Sequence, residues 1–131
     1  MVKVQIDVAK LNKAIALSFD KTVDRLSDAL DEAMEQKLYD WPRLTRRRNG
    51  EIAGAPRNII DTEELINSKA IARSSSSLAA EFSWDAPYAA AVRNGCTLRN
   101  GTEIPARKWD EKALEISNPR DVFQRELRRQ L

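Results

Sequence analysis

Histidine is absent from the 131 residues. That removes the commonest general base and the commonest metal ligand, and with them the Ser-His-Asp and Cys-His nucleophilic machineries. Cysteine occurs once, as Cys96, so no disulfide can close within the chain and folding needs no oxidising compartment. This thiol is expected to pack as a small hydrophobe. No apolar run approaches the roughly 20 residues that cross a bilayer, and residues 1–10 lack the continuous apolar segment of a secretion signal. Synthesis in the cytoplasm, without export by a signal peptide and without a membrane span, is therefore expected. There is no phosphate-cradling glycine loop and no pair of carboxylates at a recognised catalytic spacing. Neither enzymatic activity nor a cofactor or metal is expected. A carboxylate-dependent enzyme would need a concave site holding at least two perturbed acids.

Apolar residues supply 42% and charged residues 32% of the chain, the composition of an ordinary folded domain with somewhat raised charge. A length of 131 residues suits one domain, spanning residues 1–131, with a modest hydrophobic core. Twenty-two Lys and Arg stand against 20 Asp and Glu, a formal net charge of only +2. Any affinity for nucleic acid must then come from where the charges sit and not from their sum.

The strongest periodic signal lies near the N-terminus. Apolar residues recur at Val8, Leu11, Ile15, Phe19, Val23, Leu26, Leu30, Met34 and Leu38, steps of three or four that form one helical stripe drifting slowly around the axis. Asp7 is placed to cap the first amides, and Pro42 disfavours helix at Trp41, so residues 1–41 read as a segment dominated by one long helix. At about 1.5 Å per residue such a helix approaches 45 Å, more than a domain this small needs for its own core. Either it bends or part of its stripe faces a neighbour, and as sequence the stripe fits a core helix and an oligomer interface equally.

Residues 42–58 carry two prolines, two glycines and the turn signal Asn49-Gly50, and read as a loop or short hairpin. Arg43, Arg46, Arg47, Arg48 and Arg57 concentrate positive charge there. A solvated loop is one reading. The other is a basic patch of Arg46, Arg47 and Arg48 against an acidic partner or passing DNA, made through phosphate contacts without base readout.

Residues 59–109 predict a short helix opened by Asp61-Thr62, then a hairpin turning at Ser74 to Ser77, then a short helix after Pro87 that ends at Gly95. Asn100-Gly101 marks a second tight turn between short strands. Residues 110–131 complete a helix ending near Ile116 and open another at Asn118-Pro119, with Phe123 and Leu127 on its apolar side.

Three motifs occur in a definite order: Asp61-Thr62-Glu63-Glu64-Leu65-Ile66-Asn67-Ser68, then Pro87-Tyr88-Ala89-Ala90-Ala91-Val92-Arg93-Asn94-Gly95, then Ile104-Pro105-Ala106-Arg107-Lys108-Trp109. Across Ile59 to Trp109 the chain resembles the gene-product-ten-like tail-component family of long-tailed bacteriophages. That pattern runs Asp-Thr-Gly-x-Leu-x-x-Ser, a strand pair, Tyr-Ala-x-x-x-x-x-Gly and Pro-Ala-Arg-Pro-Phe. Two departures stand out: Glu63 replaces the glycine, and Lys108-Trp109 replaces Pro-Phe. A turn after Asp61-Thr62 that needs no positive φ would accommodate Glu63. Read as physical chemistry, the motifs are scaffold. Asp61 or Thr62 satisfies helix amides, Leu65 faces a core, Tyr88 buries a ring and Gly95 permits a close turn, with Ser68, Ala89, Pro105 and Ala106 completing the frame. Arg107 and Trp109, with Phe123 and Leu127, are the interface candidates, because arginine and aromatic side chains dominate interface energetics.

The expected fold is α+β: a long N-terminal helix on a small, mostly antiparallel sheet of about four strands, with short helices and a C-terminal helix. The resemblance implies a structural virion protein of the phage neck or tail end. Its partners would be further copies of itself in a ring of sixfold order, the connector or stopper proteins of the neck, and tail-tube or tail-terminator proteins, with non-specific contact to passing DNA. Rotational closure of a head-to-tail contact is how one chain surrounds a channel. The alternative is a small DNA-binding or regulatory protein using the Arg-rich loop and the C-terminal Arg120, Arg125, Arg128 and Arg129, although Asp121 and Glu126 interrupt that series.

Overall fold

The computed structural model describes residues 2–48, 50–60, 63–74 and 76–131. The architecture is α+β. Helix α1 runs from Val8–Glu35, capped by the Asp7 carboxylate accepting from the Lys10 amide at 3.0 Å. Three antiparallel ribbons follow: β1 (Thr45–Arg46) with β2 (Ile52–Ala53), β3 (Lys69–Ser74) with β4 (Ala79–Trp84), and β5 (Cys96–Thr97) with β6 (Glu103–Ile104). Short helices α2 (Glu64–Asn67) and α3 (Ala89–Asn94) lie between them, and α4 (Trp109–Ile116) and α5 (Pro119–Gln130) close the chain. The strands thus form three separate pairs among the described residues and not the one four-stranded sheet expected. The cause is length. Strands of two residues exchange too few hydrogen bonds to recruit further neighbours, so each ribbon ends at its own turn.

Helix α1 supplies the floor on which everything else rests. Its C-terminal half buries Ala29, Leu30, Ala33 and Met34 in a cluster with Tyr39, Ile59, Leu65, Ala86, Trp109 and Ala113. Ala33, Met34 and Ala113 have no exposed surface, which places the α1–α4 contact at the centre of the core. Small side chains on both helices let the backbones approach, and Met34 fills the remaining space. Over the N-terminal half the partner is α5, which sets Val122 and Glu126 against it. The buried face there is polar and small: the Ser18 and Thr22 hydroxyls donate to the Ala14 and Ser18 carbonyls, each at 2.7 Å, and so arrive in the interface already satisfied. Of the apolar stripe, Val23, Leu30 and Met34 are buried while Val8 and Leu38 are exposed. The drift of the stripe carries its ends out of the core.

Charge clamps the β3–β4 ribbon to the same helix. Lys69, Ile71 and Arg73 alternate onto the face shared with Phe82 and Trp84. From there the Lys69 ammonium reaches the Asp31 carboxylate at 2.8 Å and the Ser27 hydroxyl at 2.7 Å, and the Arg73 guanidinium reaches Asp24 at 2.6 Å. The two acids sit about two helical turns apart, roughly 10 Å, close to the roughly 13 Å that separates Lys69 from Arg73 along the strand. No helix among the described residues is long and apolar enough to cross a membrane.

Two expectations are corrected by the backbone and by burial. Glu63 caps α2 in the left-handed region, at φ 68°, so the turn does require the positive φ that glycine adopts without penalty. Cys96 is exposed and not packed as a small hydrophobe, because it stands on a two-residue edge strand with little beyond it. The proposed caps Asp61 and Thr62 lie outside the described residues. Replacing Glu63 by glycine should relieve the left-handed strain and raise stability by roughly 0.5–1 kcal/mol. Urea denaturation would register this as a higher midpoint at unchanged slope; a lower midpoint would refute the conformational assignment.

Candidate functional site

The chain leaves α1 at Gln36 and immediately pairs backbone with backbone. The Tyr39 amide donates to the Arg57 carbonyl at 2.9 Å, and the Arg57 amide returns a bond of 2.8 Å. Below this bridge the Tyr39 hydroxyl donates to the Ala33 carbonyl at 2.6 Å. Burial, with the Asp110 charge adding to it, pushes that phenol up to about 12, so it stays a donor at neutral pH. The bridge closes the β1–β2 segment into a loop with its two ends side by side. Trp41 is therefore delivered beside Arg57, although 16 positions separate them.

Arg57 is buried and held as a brace. Its Nε donates to the Gly54 carbonyl at 2.7 Å, its Nη1 to the Thr45 hydroxyl at 2.8 Å, and its Nη2 to the Ala53 and Arg43 carbonyls. Arg47 is tied in the same manner, donating to the Ile60 carbonyl and the Asn58 carbonyl, each at 2.6 Å, and to the Asn58 side chain. Both guanidinium groups thus have fixed positions while their charge is only partly answered. Glu51 lies 3.8 Å from Arg47, and no carboxylate pairs with Arg57 among the described residues.

The third cation comes from the far end of the chain. Gly95, at φ 79°, presses so closely on the Ile104–Ala106 backbone that a Cβ there would stand 2.6 Å from the Ile104 carbonyl oxygen and 2.9 Å from the Ala106 nitrogen. One residue further on, the Arg107 amide donates to both the Val92 and Arg93 carbonyls at 3.1 Å. Held by these contacts, the Arg107 side chain reaches Trp41. The guanidinium carbons of Arg107 and Arg57 lie 4.6 and 4.5 Å from the centre of the same indole ring. Each contact is a favourable cation–π interaction, yet together they bring two positive charges to one aromatic residue.

Trp41, Thr45, Arg46, Arg47, Arg57 and Arg107 border a hollow of about 260 Å³ that Ile59 and Ile60 help to line. Arg107 makes no side-chain hydrogen bond or ion pair among the described residues, and its Nε is buried without a partner. Burial pushes its guanidinium down to about 10; the charges of Arg57 and Arg47 push the same way, against an opposing contribution from Cys96. Arg57 is lowered too, by burial first and by Arg47 second. The hollow is a region of net positive potential, walled in part by the braced Arg47 and Arg57.

The residues singled out in the sequence divide accordingly. Leu65 is core, Tyr88 and Ala89 pack against it, and the Ser68 hydroxyl donates to the Leu65 carbonyl at 2.8 Å. Pro105 and Ala106 form the strand end that Gly95 meets. Trp109 was expected at an interface and instead lies in the core, only 2% exposed, edge-on to Trp84 at 5.3 Å between ring centres. Its place as the first residue of α4 turns the ring under α1. Phe123 and Leu127 are half-buried on α5. Arg46 and Arg48 are exposed, whereas Arg47 points back into its own chain. Sequence reasoning missed Trp41 and the role of Arg57. The available signal was an aromatic residue and an arginine flanking a Pro- and Gly-punctuated segment, the arrangement in which loop ends meet.

Compared with protein-family models, curated proteins and solved structures, the chain finds no match in any of the three. A Gly95→Ala substitution should destabilise the chain by about 2–4 kcal/mol, because the methyl would collide with backbone atoms at a positive φ. Denaturant unfolding measures it, and a cost below about 0.5 kcal/mol would show that the contact yields easily.

Proposed function

We propose that the chain is a structural virion protein of the neck or tail end of a long-tailed bacteriophage, assembling as a ring around the DNA path. The observation that carries this reading is that the three ordered motifs form one interlocked unit. Leu65, Tyr88, Ala89 and Trp109 meet in a single core, and Gly95 of the second motif seats against Pro105 and Ala106 of the third. The left-handed backbone at Glu63 adds support, since the family pattern has glycine at that place and the geometry favours glycine.

Self-association has its own support. Val2, Val4 and Ile6 alternate along a segment outside regular secondary structure with no strand partner among the described residues, and Val2 is 91% exposed. An apolar alternation of that kind gains most by pairing with an edge or face supplied by another copy. Arg46 and Arg48, at the turn end of the β1–β2 ribbon, are the exposed members of the basic patch, where an acidic partner or DNA can reach them. In this reading the protein performs no chemistry; it works by surface complementarity, with the braced ribbon presenting its tip to a neighbouring ring.

Electron microscopy of the purified chain is the direct test. Closed rings are expected, and a monomer binding duplex DNA in a salt-sensitive manner would favour the regulatory alternative instead. The double substitution Arg46→Ser with Arg48→Ser should leave folding intact while reducing the yield of joined heads and tails about tenfold, the effect of roughly 1.4 kcal/mol at an interface. Unchanged joining and genome retention would remove the ribbon tip from the contact.

A further inference from the structure

We propose that the hollow between Trp41, Arg47, Arg57 and Arg107 is a binding site for a doubly charged phosphate group, either free phosphate or a phosphomonoester. This does not rest on the phage reading and concerns a different surface from the Arg46 and Arg48 tip.

The site is built before any ligand arrives. Arg57 is fixed by carbonyls of the β1–β2 segment and by Thr45, and Arg47 by Asn58 and Ile60. These neutral acceptors hold the guanidinium planes without cancelling their charge. Such fixed dipoles and cations require little reorganisation when an anion enters, which is the arrangement that makes anion recognition strong. Arg107 completes the set from a separate part of the fold. Its side chain makes no hydrogen bond among the described residues, and its Nε is buried without a partner.

Charge count selects the ligand class. Against the three positive charges of Arg47, Arg57 and Arg107, Glu51 sets one negative charge, 3.8 Å from Arg47 and acting on Arg57 as well. The two positive charges left over are best neutralised by a group carrying close to two negative charges, and a phosphomonoester carries about −1.5 to −2 at pH 7. A single carboxylate would leave one of them unanswered. Guanidinium forks also match the oxygen spacing of phosphate. The hollow of about 260 Å³ admits one such group with some of its water but not a folded nucleotide stack.

The unliganded chain bears the repulsion that the ligand would relieve. Burial and neighbouring charge disfavour the charged form of Arg107, so removing that charge should not weaken the fold, whereas it should abolish the binding. Residues that serve binding at the expense of stability behave in this way.

The test uses the full chain and inorganic phosphate. Thermal unfolding at constant ionic strength should show a saturable rise in Tm of about 4 °C or more with phosphate and little with acetate. Arg107→Met should fold with an unchanged or higher Tm and lose the saturable response, which separates site binding from the general salting effect of phosphate. Should that variant fail to fold, broadening of the phosphorus resonance of phosphate by the unmodified chain, reversed by excess unlabelled pyrophosphate but not by acetate, supports the site. Equal stabilisation by acetate, or an identical phosphate response in the folded Arg107→Met chain, would overturn it. A short oligonucleotide with and without a 5′-phosphate identifies the source. Stronger binding of the phosphorylated form assigns the group to a nucleic-acid end, and stronger binding of inorganic phosphate assigns it to the free ion. Equal binding of both oligonucleotides, above that of phosphate, would mean that internal phosphodiesters are read and would sink the doubly charged assignment.

Discussion

The contact between the C-terminal half of α1 and α4 governs the rest of the structure. Ala33 and Met34 on one helix and Trp109 and Ala113 on the other bury almost all of their surface there. The three ribbons are short, and isolated two-stranded hairpins are marginal in water. They persist because each is tied to this helical pair: β1–β2 through Tyr39 and Ile59, β3–β4 through Phe82, Trp84 and the ion pairs to α1, and β5–β6 through the Gly95 contact that leads into α4. Fully burying side chains such as Leu30 and Met34 is worth about 1.5–3 kcal/mol each. Losses here would release all three ribbons together.

Much of this was legible as sequence because the controlling signals were local. The three-and-four spacing from Val8 to Leu38 marked α1, Asn118-Pro119 marked the start of α5, Ser76 and Ser77 marked the β3–β4 turn and Asn100-Gly101 the β5–β6 turn. What escaped was set by tertiary approach. No local rule shows that Trp109, at the end of an apparently surface-like Arg-Lys-Trp run, turns beneath α1. Nor does the identity of Glu63 disclose that the chain must enter α2 from the left-handed side; there the position overrides the residue. The separation into three ribbons followed from strand lengths, which periodicity resolves poorly for segments of two residues.

The near balance of charge in the whole chain conceals a division of labour among its cations. Lys69, Arg73 and Arg93 each meet a carboxylate, Asp31, Asp24 and Asp110 respectively, and so fasten one element to another. Arg47 and Arg57 are satisfied chiefly by carbonyl oxygens, which supply hydrogen bonds but no net charge. Glu126 is the counterpart on the acidic side, 3% exposed between Lys21 and Arg129, with one carboxylate oxygen lacking a hydrogen bond. Its charge is answered by two cations of α1 and α5, so it closes that helix interface. Arg57 and Arg107 form no ion pair among the described residues, although the Glu51 charge acts on Arg57.

That contrast bears on what the basic segment is for. A loop whose only task was to be soluble would leave its arginines in water, where hydration is nearly free. Here the sequence invests the Tyr39–Arg57 backbone bridge, the Arg57 brace and the Gly95 close approach in bringing two cations to one indole ring. Local conflict of this kind, maintained by otherwise consistent surroundings, marks places where a fold serves something besides its own stability. The rigid frame of the three motifs supplies the surroundings, and the arginine hollow is what they hold in place.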